Sequence, residues 1–415
     1  MRQATALVIG AGMGGLTAAA ALAQRGWSVT VFERSDQLEP VGTAHALAPN
    51  AQRALGVLGL GEAVRTLSSW LAEGGVRTPS GRWLYHTLTD GSEERFGGPL
   101  VLTPSYELLK LLASLLPPTA LRLGTSVRVL DPGDADRPAR LRSIPCEGRG
   151  HRHRQVPTRE WTADLVVAAD GVHSATRRTL FPDHPPPRYV GLTSWRMLVD
   201  APAGCVAAQE TWGRGALWGT VPLRDGRLYA YGAAHARAGR RARYGERAEL
   251  LRHFGSWHAP IPELISTVRP RDILRTDIHE ADRPLPAYHR GRVALLGDSV
   301  HPMPPHLSQG GAQAIEDGVV LAHHARPAHF DPDRDLAAYS RDRLPRTTAV
   351  VRRAVRAGRW AVCSSPALCA LRDGGVALIS RLSPEVGLRG LDGIADWSPP
   401  PSPEDAPPPH EYAAS

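Results

Sequence analysis

The chain has 415 residues, 42% of them hydrophobic and 22% charged, the balance of a globular protein with a buried core rather than of a disordered one. Its formal net charge is +8, yet Lys110 is the only lysine and the arginines are spread along the whole sequence. Because no recognition motif accompanies this charge, we expect no nucleic-acid partner.

Cysteine spacing and hydropathy set further limits on the function. The four cysteines form no CxxC pair, and the seventeen histidines form no HExxH or comparable spacing, so we expect no metal site. Unpaired thiols of this kind are typical of a reducing compartment, which favours a cytoplasmic location. No uncharged run of about 18 apolar residues occurs, so we also expect no membrane span.

The N-terminus carries a glycine-rich turn between two predicted strands. An apolar strand, Ala4 to Ile9, precedes the turn, a helix from about Leu16 to Arg25 follows it, and a second strand runs from Ser28 to Phe32. This is the GxGxxG pattern in a strand–turn–helix–strand context, with an acidic residue at the end of the second strand. The pattern predicts a dinucleotide site but does not distinguish FAD from NAD.

Each residue type in this turn has a physical reason. Gly10 permits the tight turn, Gly12 allows the backbone to approach a pyrophosphate, and Gly15 allows the helix to pack against the strand. Glu33 is placed to accept a hydrogen bond from a ribose hydroxyl. The predicted contacts of this region are Gly10, Gly12, Met13, Gly14, Gly15, Glu33 and Arg34.

A second informative run lies between residues 291 and 322. A short apolar strand, Val293 to Leu296, ends at Gly297-Asp298, and three prolines keep the following loop out of a helix. Gly310-Gly311 then precedes a segment of helical composition, Ala312 to His324. An acid at a strand end, a rigid loop and a helix N-terminus suit a polar, partly anionic cofactor, because the helix dipole stabilises negative charge.

The segment between about Phe181 and Arg283 has a different sequence pattern, with alternating apolar and polar residues typical of strands. Predicted strands run over Thr193–Val199, Cys205–Trp212, Ala216–Pro222 and Arg227–Ala233. Aromatic residues in these strands suit either a core or an apolar ligand. Trp195, Leu217, Trp218 and Tyr229 are the candidate substrate contacts.

Three segments resemble the three motifs of the FAD-dependent aromatic hydroxylases. They are the glycine turn, the Asp170-Gly171 turn followed by Ser174 and Arg177, and the Gly297-Asp298 run. These are class A flavoprotein monooxygenases of the para-hydroxybenzoate hydroxylase fold, and the chain is most similar to the branch of salicylate hydroxylase and the zeaxanthin-epoxidase-like proteins. The resemblance implies FAD as cofactor and adds the contacts Val127, Asp170, Asp298, Ser308, Gly310, Gly311 and Ala312.

The resemblance also implies a fold and a domain plan. We expect an α/β protein with a Rossmann-like FAD-binding domain (residues 1–70, 100–180 and 285–325) and an interleaved substrate domain on a mostly antiparallel sheet (71–99 and 181–284). Helices are expected over 326–395, with a helical pair from Pro366 to Leu382, and a disordered proline-rich tail is expected over 396–415.

The implied reaction consumes NADPH or NADH and O2 and transfers oxygen from a flavin C4a-hydroperoxide to an electron-rich aromatic or unsaturated small molecule. Pro305 would form a rigid wall, and His306 and His45 are candidate bases. Urate-hydroxylating relatives place an arginine where this chain has Leu217, which disfavours a purine.

Three positions near the expected flavin depart from the family pattern: Ser105 replaces Arg, and Ala44 and Ser308 replace Gly. These departures leave two alternatives open, a flavin-fold protein that only binds a ligand and a flavin-dependent reductase or oxidase. We expect a monomer or a homodimer.

Overall fold

The computed structural model describes residues 2–38, 43–71, 73–88, 91–145, 158–202, 207–382 and 387–401. The α-helices in these ranges are α1 (Met13–Gln24), α2 (Pro49–Val57), α3 (Gly61–Leu67), α4 (Gly91–Phe96), α5 (Ser105–Ala113), α6 (Ala175–Leu180), α7 (Glu246–Phe254), α8 (Ile261–Thr267), α9 (Gly310–His324), α10 (Pro332–Ala361) and α11 (Pro366–Leu382).

The strands are β1 (Thr5–Ile9), β2 (Ser28–Phe32), β3 (Ala44–Leu47), β4 (Ser69–Trp70), β5 (Glu73–Arg77), β6 (Trp83–Leu88), β7 (Val101–Pro104), β8 (Leu121–Arg122), β9 (Ser126–Asp131), β10 (Ala139–Ile144), β11 (Glu160–Ala163), β12 (Leu165–Ala168), β13 (Arg188–Asp200), β14 (Ala208–Trp212), β15 (Ala216–Pro222), β16 (Arg227–His235), β17 (Leu274–Glu280), β18 (His289–Arg290) and β19 (Val293–Leu295).

A largely parallel sheet organises the nucleotide-binding half, with the order β18-β19-β12-β1-β2-β8 among the described strands. β1 lies at its centre, paired in parallel with β12 and with β2. These strands are buried on both faces and are continuously apolar, as is typical of parallel sheets. The predicted strands from Ala4 and from Val293 are therefore confirmed.

Helices α1 and α9 pack against each other beside this sheet, and glycines allow the close approach. A Cβ atom on Gly318 of α9 would lie 2.7 Å from the backbone nitrogen of Ala18 in α1. A Cβ on Gly15 would lie 2.0 Å from the carbonyl oxygen of Gly10. Gly15 therefore performs the packing role that the sequence predicted for it.

The second large sheet has the order β17-β13-β16-β15-β14-β5-β6 and is antiparallel except between β14 and β5. Alternate residues of β13, β15 and β16 face in opposite directions, because side chains alternate along a strand. One face packs against α7 and α8 in an apolar cluster that contains Trp195 and Trp218. The other face is turned toward the nucleotide-binding half.

The C-terminal region differs from its predicted form in two ways. The segment 366–382 is one helix, α11, rather than a pair. Residues 396–401 are described and ordered: Arg53 donates a hydrogen bond to the carbonyl oxygen of Trp397 at 2.8 Å, and Arg343 and Arg346 lie against the indole ring. The rest of the predicted disordered tail, 402–415, lies outside the described residues.

Among the described residues, no single helix has both the length and the apolar composition needed to cross a bilayer. Helices α10 and α11 meet those criteria only when they are counted together, and they are bent by 109° at the break between them.

Candidate functional site

A cavity of about 720 Å³ lies between the two large sheets. On one side it is lined by the glycine turn, the loop after β19 and the start of α9. On the other side it is lined by β13, β15 and β16 of the antiparallel sheet. A cavity of this volume, bounded by a nucleotide-binding motif and by an apolar sheet, is suited to hold a cofactor ring beside a small organic molecule.

The glycine turn fits a dinucleotide. Gly10 has φ +102°, a backbone conformation that favours glycine. A Cβ atom on Gly12 would meet no atom within 4 Å, so the backbone is open to the cavity at this point. Glu33 accepts a hydrogen bond from the backbone nitrogen of Ala11 at 2.9 Å, which fixes the end of β2 beside the turn.

Asp298 lies just after the end of β19 and opens onto the cavity. Its carboxylate has no hydrogen-bond partner among the described residues, so it remains able to accept from a cofactor hydroxyl. Burial by the surrounding protein raises the pKa of Asp298, although its carboxylate is accessible from the cavity. The nearby side chains of His301, Arg196 and Arg177 oppose that rise.

The first turn of α9 faces the same cavity through Gly310 and Gly311. Its N-cap residue, Gln309, makes no side-chain capping hydrogen bond, so the backbone N–H groups of this turn can serve a ligand. A 15-residue helix with free N-terminal donors stabilises an adjacent negative charge. Ala312, by contrast, has its side chain in the core.

A buried network of ionic hydrogen bonds connects α9 to α10 and to Asn50 of α2. Arg343 of α10 donates to Glu316 and to Asp317, both at 2.6 Å, and Asn50 donates to Glu316 at 2.6 Å. Burial alone would raise the pKa of Asp317, but the charges of His301 and Arg343 outweigh it and lower the pKa to about 2. Asp317 also accepts from the backbone nitrogen of Gly297 at 2.9 Å, so the network fixes the loop that bears Asp298.

The three family departures have different structural outcomes. Ser105 is buried away from the cavity, where its hydroxyl accepts a hydrogen bond from Thr43 at 2.7 Å. Ala44 lies in the cavity wall. Ser308, also in the wall, has φ +52° and is the non-glycine residue with positive φ among the described residues.

Two neutral imidazoles border the cavity. Burial, with a contribution from Arg196, lowers the pKa of His45 to about 4. Burial lowers the pKa of His306 to about 4 as well, and neither of its ring nitrogens has a hydrogen-bond partner among the described residues. Both side chains are therefore unprotonated near neutral pH and can accept a proton or a hydrogen bond. Pro305 lies in the wall beside His306.

Arg196 of β13 brings a cation into the cavity, and the sequence reasoning missed it. Its Nη2 donates to Thr276 Oγ1 at 3.2 Å, its Nε is buried without a partner, and it forms no ion pair among the described residues. A guanidinium in this state favours an anionic or strongly accepting group beside it. The available signal was an arginine inside an otherwise apolar predicted strand.

The carboxylate of Glu210, on the cavity side of the antiparallel sheet, accepts two side-chain hydrogen bonds. Tyr231 donates to Glu210 at 2.5 Å, and the Trp212 indole donates to the same carboxylate at 2.7 Å. The tyrosine ring fits because Gly219 lies opposite it: a Cβ atom there would lie 2.1 Å from the ring. Leu217 and Tyr229, both predicted substrate contacts, line the same face.

The prediction that Trp195 and Trp218 contact the substrate is wrong in this structure. Both are 1% exposed and point to the opposite face of the sheet, where Trp218 packs against Phe254. The physical reason is the two-residue period of the strand: because Arg196 and Leu217 face the cavity, their neighbours in sequence cannot.

Several predicted cofactor residues lie outside the cavity wall. Asp170 accepts from Ser174 Oγ at 2.5 Å and from the backbone nitrogen of Thr176 at 3.0 Å, so its carboxylate holds the turn whose next residues, Gly171 and Val172, line the cavity. Val127 is buried in the core. Met13 and Gly14 lie in the wall, whereas Arg34 does not.

Comparison with known proteins places this site in a family. Residues 3–354 match the family described as "FAD binding domain". The chain is 34% identical over 371 residues to the aurachin C monooxygenase/isomerase of Stigmatella aurantiaca, covering 89% of this chain and 92% of that protein. It is 35% identical over 369 residues to the 3-amino-4-hydroxybenzoate 2-monooxygenase of Streptomyces cremeus, covering 84% and 85%.

Solved structures agree with the sequence comparison. Klebsiella pneumoniae HpxO complexed with FAD and uric acid superimposes with a TM-score of 0.82 at 28% identity, covering 95% of this chain and 96% of that one. A salicylate hydroxylase substrate complex, at 20% identity and a TM-score of 0.68, shows the same fold. The chain therefore belongs to the FAD-binding family of flavin-dependent aromatic hydroxylases and is a monooxygenase that uses FAD, a nicotinamide coenzyme and O2.

Proposed function

We propose that this monooxygenase hydroxylates a mostly apolar aromatic or heteroaromatic molecule that carries one anionic or strongly accepting group. The observation that supports this substrate class is the guanidinium of Arg196, which forms no ion pair among the described residues and lies in a cavity whose wall also presents Leu217, Val221 and tyrosine rings. The relatives that act on aminohydroxybenzoate and on urate use small aromatic substrates with accepting groups, which is consistent with the proposal.

The fit of the site supports a proposed set of FAD-binding residues. The backbone at Gly12 would hold the pyrophosphate, Asp298 would accept from the ribityl chain, and the first turn of α9 would stabilise negative charge on the ring. Bound FAD, once reduced by the nicotinamide coenzyme, supplies the oxygen activation that protein side chains lack.

The remaining residues would act on the substrate. Arg196 would bind its anionic group and so fix which ring carbon faces the flavin, because correct orientation can contribute much of the rate enhancement. His45 or His306, unprotonated at neutral pH, would accept a hydrogen bond or proton from a substrate hydroxyl and make the ring more electron-rich. Pro305 and Leu217 would exclude water from the reacting atoms.

The test is a panel of hydroxylated benzoates, hydroxylated quinolines and their neutral methyl esters or ethers. We expect acidic members to stimulate NADPH or NADH oxidation and to yield a product with one added oxygen atom, detected by mass spectrometry. Arg196→Gln should raise KM for the acidic members roughly 10- to 100-fold, the effect of losing one charge-assisted hydrogen bond. Arg196→Lys should restore part of the loss.

Arg227→Gln is the control, since Arg227 belongs to the same sheet but pairs with Asp225 in an exposed turn. It should leave KM unchanged. Equal turnover of acids and neutral esters by wild type, or an unaltered KM in Arg196→Gln, would refute the proposed role of Arg196.

A cytoplasmic location, in a monomer or homodimer, remains part of the proposal. The spacing of the four cysteines, which form no CxxC pair, is consistent with that location.

A further inference from the structure

A second cavity, of about 370 Å³, lies between the C-terminal half of α10 and the segment that follows β17. It shares no lining residue with the flavin cavity. Its volume falls in the range of small-ligand pockets. We call it the arginine cleft, after the five arginines that line it: Arg188, Arg283, Arg352, Arg356 and Arg359.

The carboxylates of the cleft neutralise only one of these arginines. Glu280 and Asp282 both lie beside Arg188, Glu280 in a direct hydrogen bond and Asp282 at 3.8 Å. The other four arginines form no ion pair with any described residue. The cleft therefore has a net positive charge.

Helix geometry brings three of these cations together. Arg352, Arg356 and Arg359 follow one another at spacings of four and three residues, so they project from one face of α10. Like charges so placed repel one another. An anion bound between them is attracted to all three and offsets that repulsion. Guanidinium groups recognise phosphate oxygens with paired, parallel hydrogen bonds.

A buried histidine forms part of the cleft wall. His301 is 1% exposed, and its Nε2 lies 2.6 Å from Asp317 Oδ2. Its Nδ1 is buried and has no hydrogen-bond partner among the described residues. A buried polar atom without a partner is uncommon and indicates a missing ligand or water.

We propose that the arginine cleft binds a phosphate-bearing ligand, with a phosphomonoester or diphosphate as the recognised group. Ligand binding would also affect the flavin site through two hydrogen bonds. His301 contacts Asp317, and Asp317 accepts from the backbone nitrogen of Gly297, next to Asp298. The phosphate could belong to the nicotinamide coenzyme or to a separate phosphorylated molecule.

The experiment measures binding of pyrophosphate to the FAD-loaded protein by calorimetry at low ionic strength. Wild type should bind at millimolar or lower concentration. The double variant Arg352→Gln/Arg356→Gln should bind at least roughly tenfold more weakly, the loss expected for charge-assisted contacts at a surface cleft. A matched double variant, Arg341→Gln/Arg247→Gln, removes the same charge from exposed arginines outside the cleft and should bind as wild type does.

Steady-state kinetics with both coenzymes then identifies the source. A fall in kcat/KM for NADPH alone assigns the cleft to its 2′-phosphate, and a fall for both coenzymes assigns it to their diphosphate. Unchanged kinetics with weakened pyrophosphate binding assigns it to a separate ligand. Absence of pyrophosphate binding in wild type, or equal loss in the cleft and control variants, would overturn the proposal. Binding is measured without turnover, so the result is independent of the proposed substrate.

Discussion

At the scale of single residues, Ser308 has the most distinctive backbone near the flavin site. Its φ of +52° and ψ of 29° are left-handed, a conformation that costs a non-glycine residue about 1 kcal/mol or more. Glycine adopts this conformation without a steric penalty. We therefore expect Ser308→Gly to raise the free energy of unfolding by about 0.5 to 1 kcal/mol in urea titrations, after the entropic cost of glycine is deducted.

The comparison for Ser308 is Ser364, an exposed loop residue whose φ is not positive. Ser364→Gly should lower stability by about 0.5 kcal/mol, because it only adds freedom to the unfolded chain. If both variants lose stability equally, Ser308 carries no backbone strain.

The site residues that could be predicted from sequence are those whose role depends on the backbone. Gly10 and Gly15 were identified because a turn and a close helix contact require glycine wherever they occur. Trp195 was predicted to face the ligand and Arg196 was not, which is the reverse of the structure. The strand is buried on both faces, so alternation does not show which face meets the ligand. That choice depends on the helices α7 and α8, which cover one side only.

At the scale of elements, α9 connects the flavin site to the core. Gly318 approaches α1 so closely that an added methyl group would collide with the Ala18 backbone nitrogen at 2.7 Å. Backbone cannot move aside as a side-chain end can, so we expect Gly318→Ala to lower the free energy of unfolding by about 1 to 3 kcal/mol. The measurement is equilibrium unfolding in urea, with FAD retention as a second readout.

Gly56 in α2 provides the opposite case within the same protein. It is a helical glycine with no atom within 4 Å of its added Cβ. Gly56→Ala should stabilise by about 0.5 to 1 kcal/mol, since alanine is the better helix former. A stabilising effect at both positions would mean that the α1–α9 contact is looser than described.

Element boundaries show where sequence reasoning stops. α9 was predicted from Ala312, where the helical composition begins, yet it begins at Gly310. The segment 366–382 was predicted as a helical pair, yet α11 continues through Gly374-Gly375, since tertiary contacts override propensity. Arg372 of α11 donates to the Ala361 carbonyl at 2.6 Å, and Ser380 donates to the Leu84 carbonyl at 3.3 Å, one on each side of the glycine pair.

At the scale of the whole molecule, stability depends on groups that the fold keeps unprotonated. The pKa of His306 is lowered to about 4 from an ordinary value of 6.5. As pH falls from about 6.5 to 4, the unfolded chain therefore binds a proton that the folded chain does not, and acid favours unfolding by roughly 2 kcal/mol at this site. Above about pH 6.5 the contribution is constant.

We expect His306→Gln, which cannot titrate, to lose roughly 2 kcal/mol less stability than wild type between about pH 7.5 and pH 4.5. Urea unfolding of the apoprotein at the two pH values gives the comparison. His329→Gln removes an exposed imidazole and should follow the wild-type curve. Parallel losses in wild type and His306→Gln would show that His306 is not shielded from water.

The fold class was predictable because the motifs occur at fixed places relative to strands. The FAD-binding family and the α/β architecture followed from three such motifs, and the antiparallel sheet from two-residue alternation. The arginine cleft was not predictable, because it joins the end of β17 to the C-terminal half of α10, and single-sequence patterns carry no information on contacts across such distances.

The central sheet also has a consequence for biosynthesis. Val8 of β1 pairs with Val167 of β12, and Val167 pairs with Ala294 of β19, so neighbours in the sheet are far apart in translation order. A nascent chain on the ribosome has its first strands exposed long before their partners emerge, and such non-local pairing folds slowly. Chaperones therefore have the greatest opportunity to bind during this interval. With Asp298 and α9 as the proposed flavin-binding elements, the flavin would bind only after both have left the exit tunnel, so cofactor loading would be a late event in the synthesis of each molecule.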